Sequence, residues 1–220
     1  MSGTTFPPYG KSYLTPFLRV APFALFILLI ALPQSPWLTV LRGVAVAGVL
    51  AVLWPRYTEL RLARVAAREW LIAIAVGFAV FLAWIHLDHG WMAFEGGPGF
   101  DPRRADGSID WTLAGLRLFG LALVVPLMEE LFWRSLVMRW IDARDFLAFD
   151  PRRASWRAFV ISSALFASEH SMWLAGLVAG LGYSWLYARS GNLWMPIVSH
   201  TITNGTLGLW ILATGNWRFW

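Results

Sequence analysis

Apolar residues recur along the chain in seven runs, each closed by charged residues, glycine or proline. They cover roughly residues 17–32, 37–54, 70–87, 111–141, 156–170, 172–187 and 193–212. A helix needs about 20 apolar residues to cross a bilayer, and fewer where it ends in a protein-lined cavity. The pattern therefore predicts an all-α fold: a polytopic helical membrane protein with about seven transmembrane or membrane-buried helices. The fifth run is short for a span. Pro33, Pro36 and Pro55 close or separate runs, while Pro22, Pro126 and Pro196 mark kinks or first helical turns. No internal repeat, low-complexity tract or second domain breaks the pattern. Residues 1–220 read as one membrane domain, with the N-terminal spans in 16–110 and a core in 111–212.

Composition agrees. The chain is 58% hydrophobic and 14% charged, with a mean hydropathy of +0.56, whereas soluble domains are nearer a quarter charged. Cysteine is absent, which excludes disulfides, thiolate metal ligands and a cysteine nucleophile. The 15 Trp cluster near segment ends, as in an interfacial aromatic belt. The net charge of +5 does not point to nucleic acid, because the basic residues sit mainly in loops, where they set topology and meet anionic lipid. No small-residue cleavage site follows the first run, so it reads as a retained span rather than a signal peptide.

Loop charges give one orientation. Lys11 and Arg19, then Arg56, Arg61, Arg64 and Arg68, then Arg139, Arg144, Arg152, Arg153 and Arg157, and finally Arg189 all fall on one side of an alternating chain. By the positive-inside rule that side is cytoplasmic, and so is the N-terminus. The loop over 89–110 on the other side carries Glu95, Asp101, Asp106 and Asp110 against Arg103 and Arg104, and its GGPGFDP stretch reads as irregular loop.

Three polar stations interrupt the apolar runs. Glu129, Glu130 and Arg134 lie in LALVVPLMEELFWRSL, His170 in FASEH, and His200 with Asn204 in HTITN. Ionisable groups at membrane depth are costly and usually mark a functional site. From the cytoplasmic ends, at 1.5 Å per residue, Glu129 lies roughly 15 Å deep, His170 roughly 20 Å, and His200 and Asn204 roughly 12 and 18 Å. The depths nearly coincide, so the stations can meet. Glu130 and Arg134, at i and i+4, share a helix face as an ion pair, which leaves Glu129 as the free carboxylate and candidate base. The alternative is that both glutamates only hold helices together. His170 shares a helical face with Phe166 and is equally readable as a helix–helix hydrogen-bond donor. Glu169 points elsewhere and takes no role. His200 and Asn204 project from one face; they offer either two donors for an oxyanion or a polar stripe joining two helices.

Several readings fall away. His86, Asp88 and His89 read as interfacial residues rather than metal ligands, and Asn204-Gly205-Thr206 as an accidental glycosylation sequon inside a span. GLVAG, from Gly176 to Gly180, reads as close helix packing. There is no HExxH motif, no Gly-x-Ser-x-Gly elbow and no Asp pair within the spans.

EExxxR (Glu129, Glu130, Arg134), FxxxH (Phe166, His170) and HxxxN (His200, Asn204), in that order on apolar helices, resemble the CPBP family. These are the CAAX prenyl proteases of the Ras-converting type and the related bacteriocin-processing and self-immunity membrane proteins. The resemblance covers about 111–212. The tail HTITNGTLGLWILATGNWRFW is further similar to a bacterial CAAX prenyl protease-related subgroup that occurs alongside exosortase and PEP-CTERM sorting systems. The resemblance implies a helical membrane hydrolase of the bacterial inner membrane, with its site in a cavity open towards the cytoplasm. It implies that Glu129 and His170 position and activate water, that His200 and Asn204 stabilise the oxyanion, and that Glu130, Arg134 and Phe166 support them.

The expected function is an intramembrane endopeptidase acting, without a cofactor, on a membrane-associated protein or peptide, in contact with membrane lipids and with an exosortase-system protein as a candidate partner. A zinc-dependent variant would use two His and a Glu, with Asn a poor fourth ligand. A non-catalytic immunity or binding protein would use the same cavity to hold a peptide or lipid. A proton-coupled transporter fits less well, since inverted repeats and paired interrupted helices are missing.

Overall fold

The computed structural model describes residues 14–32, 35–61, 65–97 and 99–220, so Lys11, Pro33, Arg64 and Pro98 lie outside the described residues. Seven apolar helices account for the seven runs: α1 Leu14–Ile30, α2 Pro36–Leu53, α3 Ala67–His86, α4 Trp111–Asp142, α5 Trp156–Ala167, α6 Trp173–Ser190 and α7 Trp194–Thr214. Among the described residues there is no strand, and only an isolated bridge joins Arg103 to Ile109. Three segments are long and apolar enough to cross a membrane, Pro36–Arg56, Ala67–His86 and Trp111–Asp142. The first and fifth helices are apolar but shorter. The expectation that the fifth helix reaches His170 is corrected, because regular helix stops at Ala167.

Local chemistry explains the helix ends. Ser35 accepts from the Leu38 amide to start α2, Asp110 accepts from Leu113 to start α4, and Ser155 accepts from Ala158 to start α5. Each oxygen satisfies an amide that the first helical turn leaves free. Gly191 and Gly215 end α6 and α7 at φ of 70° and 71°, a left-handed conformation that glycine adopts at little cost.

Small residues let the helices meet. An added Cβ at Gly77 of α3 would stand 2.5 Å from the Ser199 carbonyl of α7. One at Gly180 of α6 would stand 2.9 Å from the Ser163 carbonyl of α5. The GLVAG stretch is thus a contact surface, as its pattern predicts. Gly43 of α2 and Gly120 of α4 also face each other closely.

At the arginine-rich end a buried ionic cluster ties α1, the segment after α2 and α4 together. Arg19 Nη2 lies 2.6 Å from Glu59 Oε2, Ser135 Oγ donates to Glu59 Oε1, and Arg139 Nη2 stands 3.8 Å from Glu59 Oε1. Burial alone would raise the Glu59 carboxyl, but the hydrogen bonds and charge of Arg19, with the Ser135 bond, outweigh it and hold the group below its ordinary value of 4.5. A lowered folded value contributes stability that is complete above 4.5 and is lost as pH falls through that lowered value. Thermal unfolding in detergent should therefore weaken in acid, below the ordinary carboxylate range. Glu59→Gln should flatten that limb, and an unchanged acid limb in Glu59→Gln would contradict the assignment.

Candidate active site

Residues Gly120–Val124 of α4 form a wide π turn just before Pro126. Val125 donates to the Gly120 carbonyl rather than to Leu121, and Pro126 has no amide hydrogen to offer. The Leu121 carbonyl is thereby left without a helical donor, and Asn204 Nδ2 of α7 supplies one at 3.0 Å. Single π turns of this kind commonly lie at functional sites. A second π segment, Leu131–Met138, follows Glu130.

Glu130 and Arg134 lie behind the cavity and are fully buried. Arg134 Nε stands 3.2 Å from Glu130 Oε2, the pair that the i, i+4 spacing predicts. The guanidinium lies 4.3 Å over the Phe166 ring and donates to the Gly180 carbonyl at 3.3 Å. Phe166 is thus a platform for Arg134. Glu130 also reaches α7, where its Oε1 lies 2.9 Å from His200 Nδ1. A carboxylate only accepts, so His200 carries a proton on Nδ1 and turns Nε2 towards Glu129, whose Oε2 stands 4.0 Å away. That Glu129 oxygen has no hydrogen-bond partner among the described residues. Tyr183 stacks on the His200 ring at 4.7 Å, and its hydroxyl donates to Thr203 Oγ1 at 2.8 Å. The ring of His200 is therefore fixed in plane and in tautomer.

His170 lies in the turn after α5. Its Nδ1 is 2.9 Å from the Phe166 carbonyl, which can only accept, so Nδ1 carries the proton and Nε2 keeps a lone pair. Trp84 meets the ring edge-on at 5.2 Å. The expectation that His170 and Phe166 share a helical face is replaced by this turn, since α5 has already ended.

Glu129, Phe166, His170, His200 and Asn204 all line one cavity of about 280 Å³. Three expected polar stations on three different elements do meet. The cavity also takes in Glu169, Trp84 and Tyr183, which sequence reasoning did not assign. Glu169 accepts from Trp133 Nε1 at 3.0 Å. Neighbours on a continuous helix point apart, but the helix ends at Ala167 and Glu169 lines the cavity beside His170. The only sequence signal for it is its place beside His170.

The lining leads towards one end of the molecule. From Glu129 the lining continues through Val125 and Leu121, and from His200 through Asn204 and Leu207. These helices run in opposite directions, so both trails lead to the same end, where Ser171, Met172 and Trp220 complete the wall. That end is opposite the arginine-rich loops.

Among the described residues, no three His, Asp or Glu side chains are arranged to hold a metal ion.

No curated protein and no solved structure matches the chain. The stretch that carries the two glutamates, both site histidines and the site asparagine is nonetheless recognisable: residues 110–206 match the model of a protease family described as Type II CAAX prenyl endopeptidase, Rce1-like.

Proposed function

We propose that this chain is an intramembrane endopeptidase in which Glu129 activates water against a peptide carbonyl. The single observation that carries the reading is the buried, unpartnered oxygen of Glu129, a residue that lines the cavity, 4.0 Å from a histidine that Glu130 holds in one tautomer. In the charge count, Glu129 and Glu130 offset Arg134 and a protonated His200, so one proton held by the Glu129–His200 pair makes the buried cluster neutral.

The steps follow from these atoms. The lone pair on His170 Nε2 orients a water in the cavity. Glu129 takes a proton as the water oxygen bonds to the carbonyl carbon. With a proton on Nε2, His200 donates to the oxyanion, and the free amide hydrogen of Asn204 adds a second donor. The tetrahedral centre collapses, the C–N bond breaks, and Glu129 returns its proton to the leaving amine. One water is consumed per bond, and the products are a carboxylate and an amine. Glu130 and Arg134 position His200 from behind the cavity, and Phe166, which lines it, carries the Arg134 guanidinium on its ring. The substrate is a membrane-associated protein or peptide, and no metal ion enters any step.

The purified protein in lipid vesicles, given a library of membrane-protein peptides in isotopically labelled water, should generate new C-termini that carry one solvent oxygen. It should do so equally in the presence of a strong chelator. An unchanged library would sink the reading, and loss of cleavage with chelator would sink the metal-free mechanism.

A further inference from the structure

The lining of the cavity leads towards one end of the molecule, and the charges at the two ends differ. We propose, building on the endopeptidase reading, that the substrate enters from the non-cytoplasmic side, and that the substrate class is a polypeptide whose scissile bond lies on that side of the membrane.

Four observations on the cavity carry this. Its wall climbs from Glu129 to Leu121 on α4 and from His200 to Leu207 on α7, both away from the arginine-rich loops. The opposite exit is blocked: behind Glu129 lie the buried Glu130–Arg134 pair, the Phe166 and Tyr183 rings, and then the Arg19–Glu59–Ser135–Arg139 cluster. The turn after α5 supplies the third. Twelve residues of α5 rise only about 18 Å, less than the roughly 30 Å hydrocarbon core, so the turn lies at membrane depth. Ser168, Glu169 and Ser171 in it are exposed. Irregular polar backbone at that depth is tolerated only inside protein or beside water, which calls for a wet vestibule above the turn.

The rim itself is the fourth. Phe94 donates to the Ser171 carbonyl, the Trp173 indole donates to Trp91, and Arg218 pairs with Asp88. The mouth is thus framed by the 89–110 loop, where Glu95, Asp101, Asp106 and Asp110 stand against Arg103 and Arg104, and by the segment after α7, which carries Arg218. The loops and helix starts at the blocked end carry Arg56, Arg61, Arg68, Arg144, Arg153 and Arg157. The positive-inside rule puts those loops in the cytoplasm, and therefore the mouth outside.

The absence of cysteine makes the test direct. Gly97→Cys reports the loop beside the mouth, with open space around its Cβ. Ser171→Cys reports the mouth and Asp145→Cys the arginine-rich end. In intact spheroplasts a membrane-impermeant maleimide should label Gly97→Cys and Ser171→Cys, and should label Asp145→Cys only after permeabilisation. A bulky maleimide placed on Ser171→Cys from outside should abolish Glu129-dependent cleavage, while the same reagent on Gly97→Cys should leave it intact. New termini should map to outward segments of their parent proteins. Labelling of Asp145→Cys but not Ser171→Cys from outside would overturn the direction of entry. If wild type yields no Glu129-dependent termini, the endopeptidase reading fails and the substrate class with it, while the labelling still decides which way the cavity faces. Should unblocked Ser171→Cys be inactive, labelling and the position of wild-type termini decide the proposal.

Discussion

Replacing Glu129 with glutamine is expected to lower the rate of peptide cleavage by about 10²–10⁴-fold, the usual contribution of a positioned general base. The side chain keeps its shape and volume, so packing against the neighbouring helices is retained. In the proposed mechanism, what is lost is the group that takes the proton from water and returns it to the leaving amine. The Glu129 oxygen near His200 has no other hydrogen-bond partner among the described residues, so the substitution breaks no structural bond at that atom. The loss should therefore appear in kcat, with thermal unfolding close to wild type. A Glu129→Gln protein that cleaves at the wild-type rate would remove Glu129 from the mechanism. One that is inactive but also unfolded would indicate a structural role instead.

Arg134→Met is expected to be the most damaging single change to stability. Glu130 and Arg134 side chains are 0% and 1% exposed. Removing the cation leaves a buried carboxylate facing only His200, and breaking such a pair costs about 3–5 kcal/mol. The guanidinium also fills the space over the Phe166 and Tyr183 rings, which methionine fills without the charge. The double variant Glu130→Gln/Arg134→Met removes both charges and should be more stable than Arg134→Met alone. Thermal unfolding in detergent reads both. A single variant as stable as wild type, or a double variant worse than the single, would contradict this view of the cluster.

Much of the architecture was legible because bilayer solvation imposes long apolar runs, and those runs fall where the seven helices lie. The Glu130–Arg134 pair was legible for a similar reason: i, i+4 neighbours on a helix meet whatever the tertiary fold. The convergence of Glu129, His170, His200 and Asn204 followed from counting helical rise. Features that depend on helix irregularity were not legible. The end of α5 at Ala167 turns Glu169 into the cavity, and no periodicity announces it. The π turn before Pro126 frees the Leu121 carbonyl and engages Asn204, whose second amide hydrogen alone remains for an oxyanion. The tautomer of His200 depends on Glu130, seventy residues away in sequence. The direction of the cavity depends on which side of each helix packs tightly, a property of the assembled bundle. The resemblance implies a cytoplasmic opening, and the lining from His200 to Leu207 runs away from the arginine-rich loops.

The measurement closest to the central claim compares the termini of membrane proteins, by mass spectrometry, in cells carrying wild type or Glu129→Gln at matched expression. New termini present with wild type and absent with Glu129→Gln are the predicted result. Identical termini in the two strains, with the wild-type phenotype preserved in Glu129→Gln, would contradict it and leave a protein that binds in this cavity without cutting.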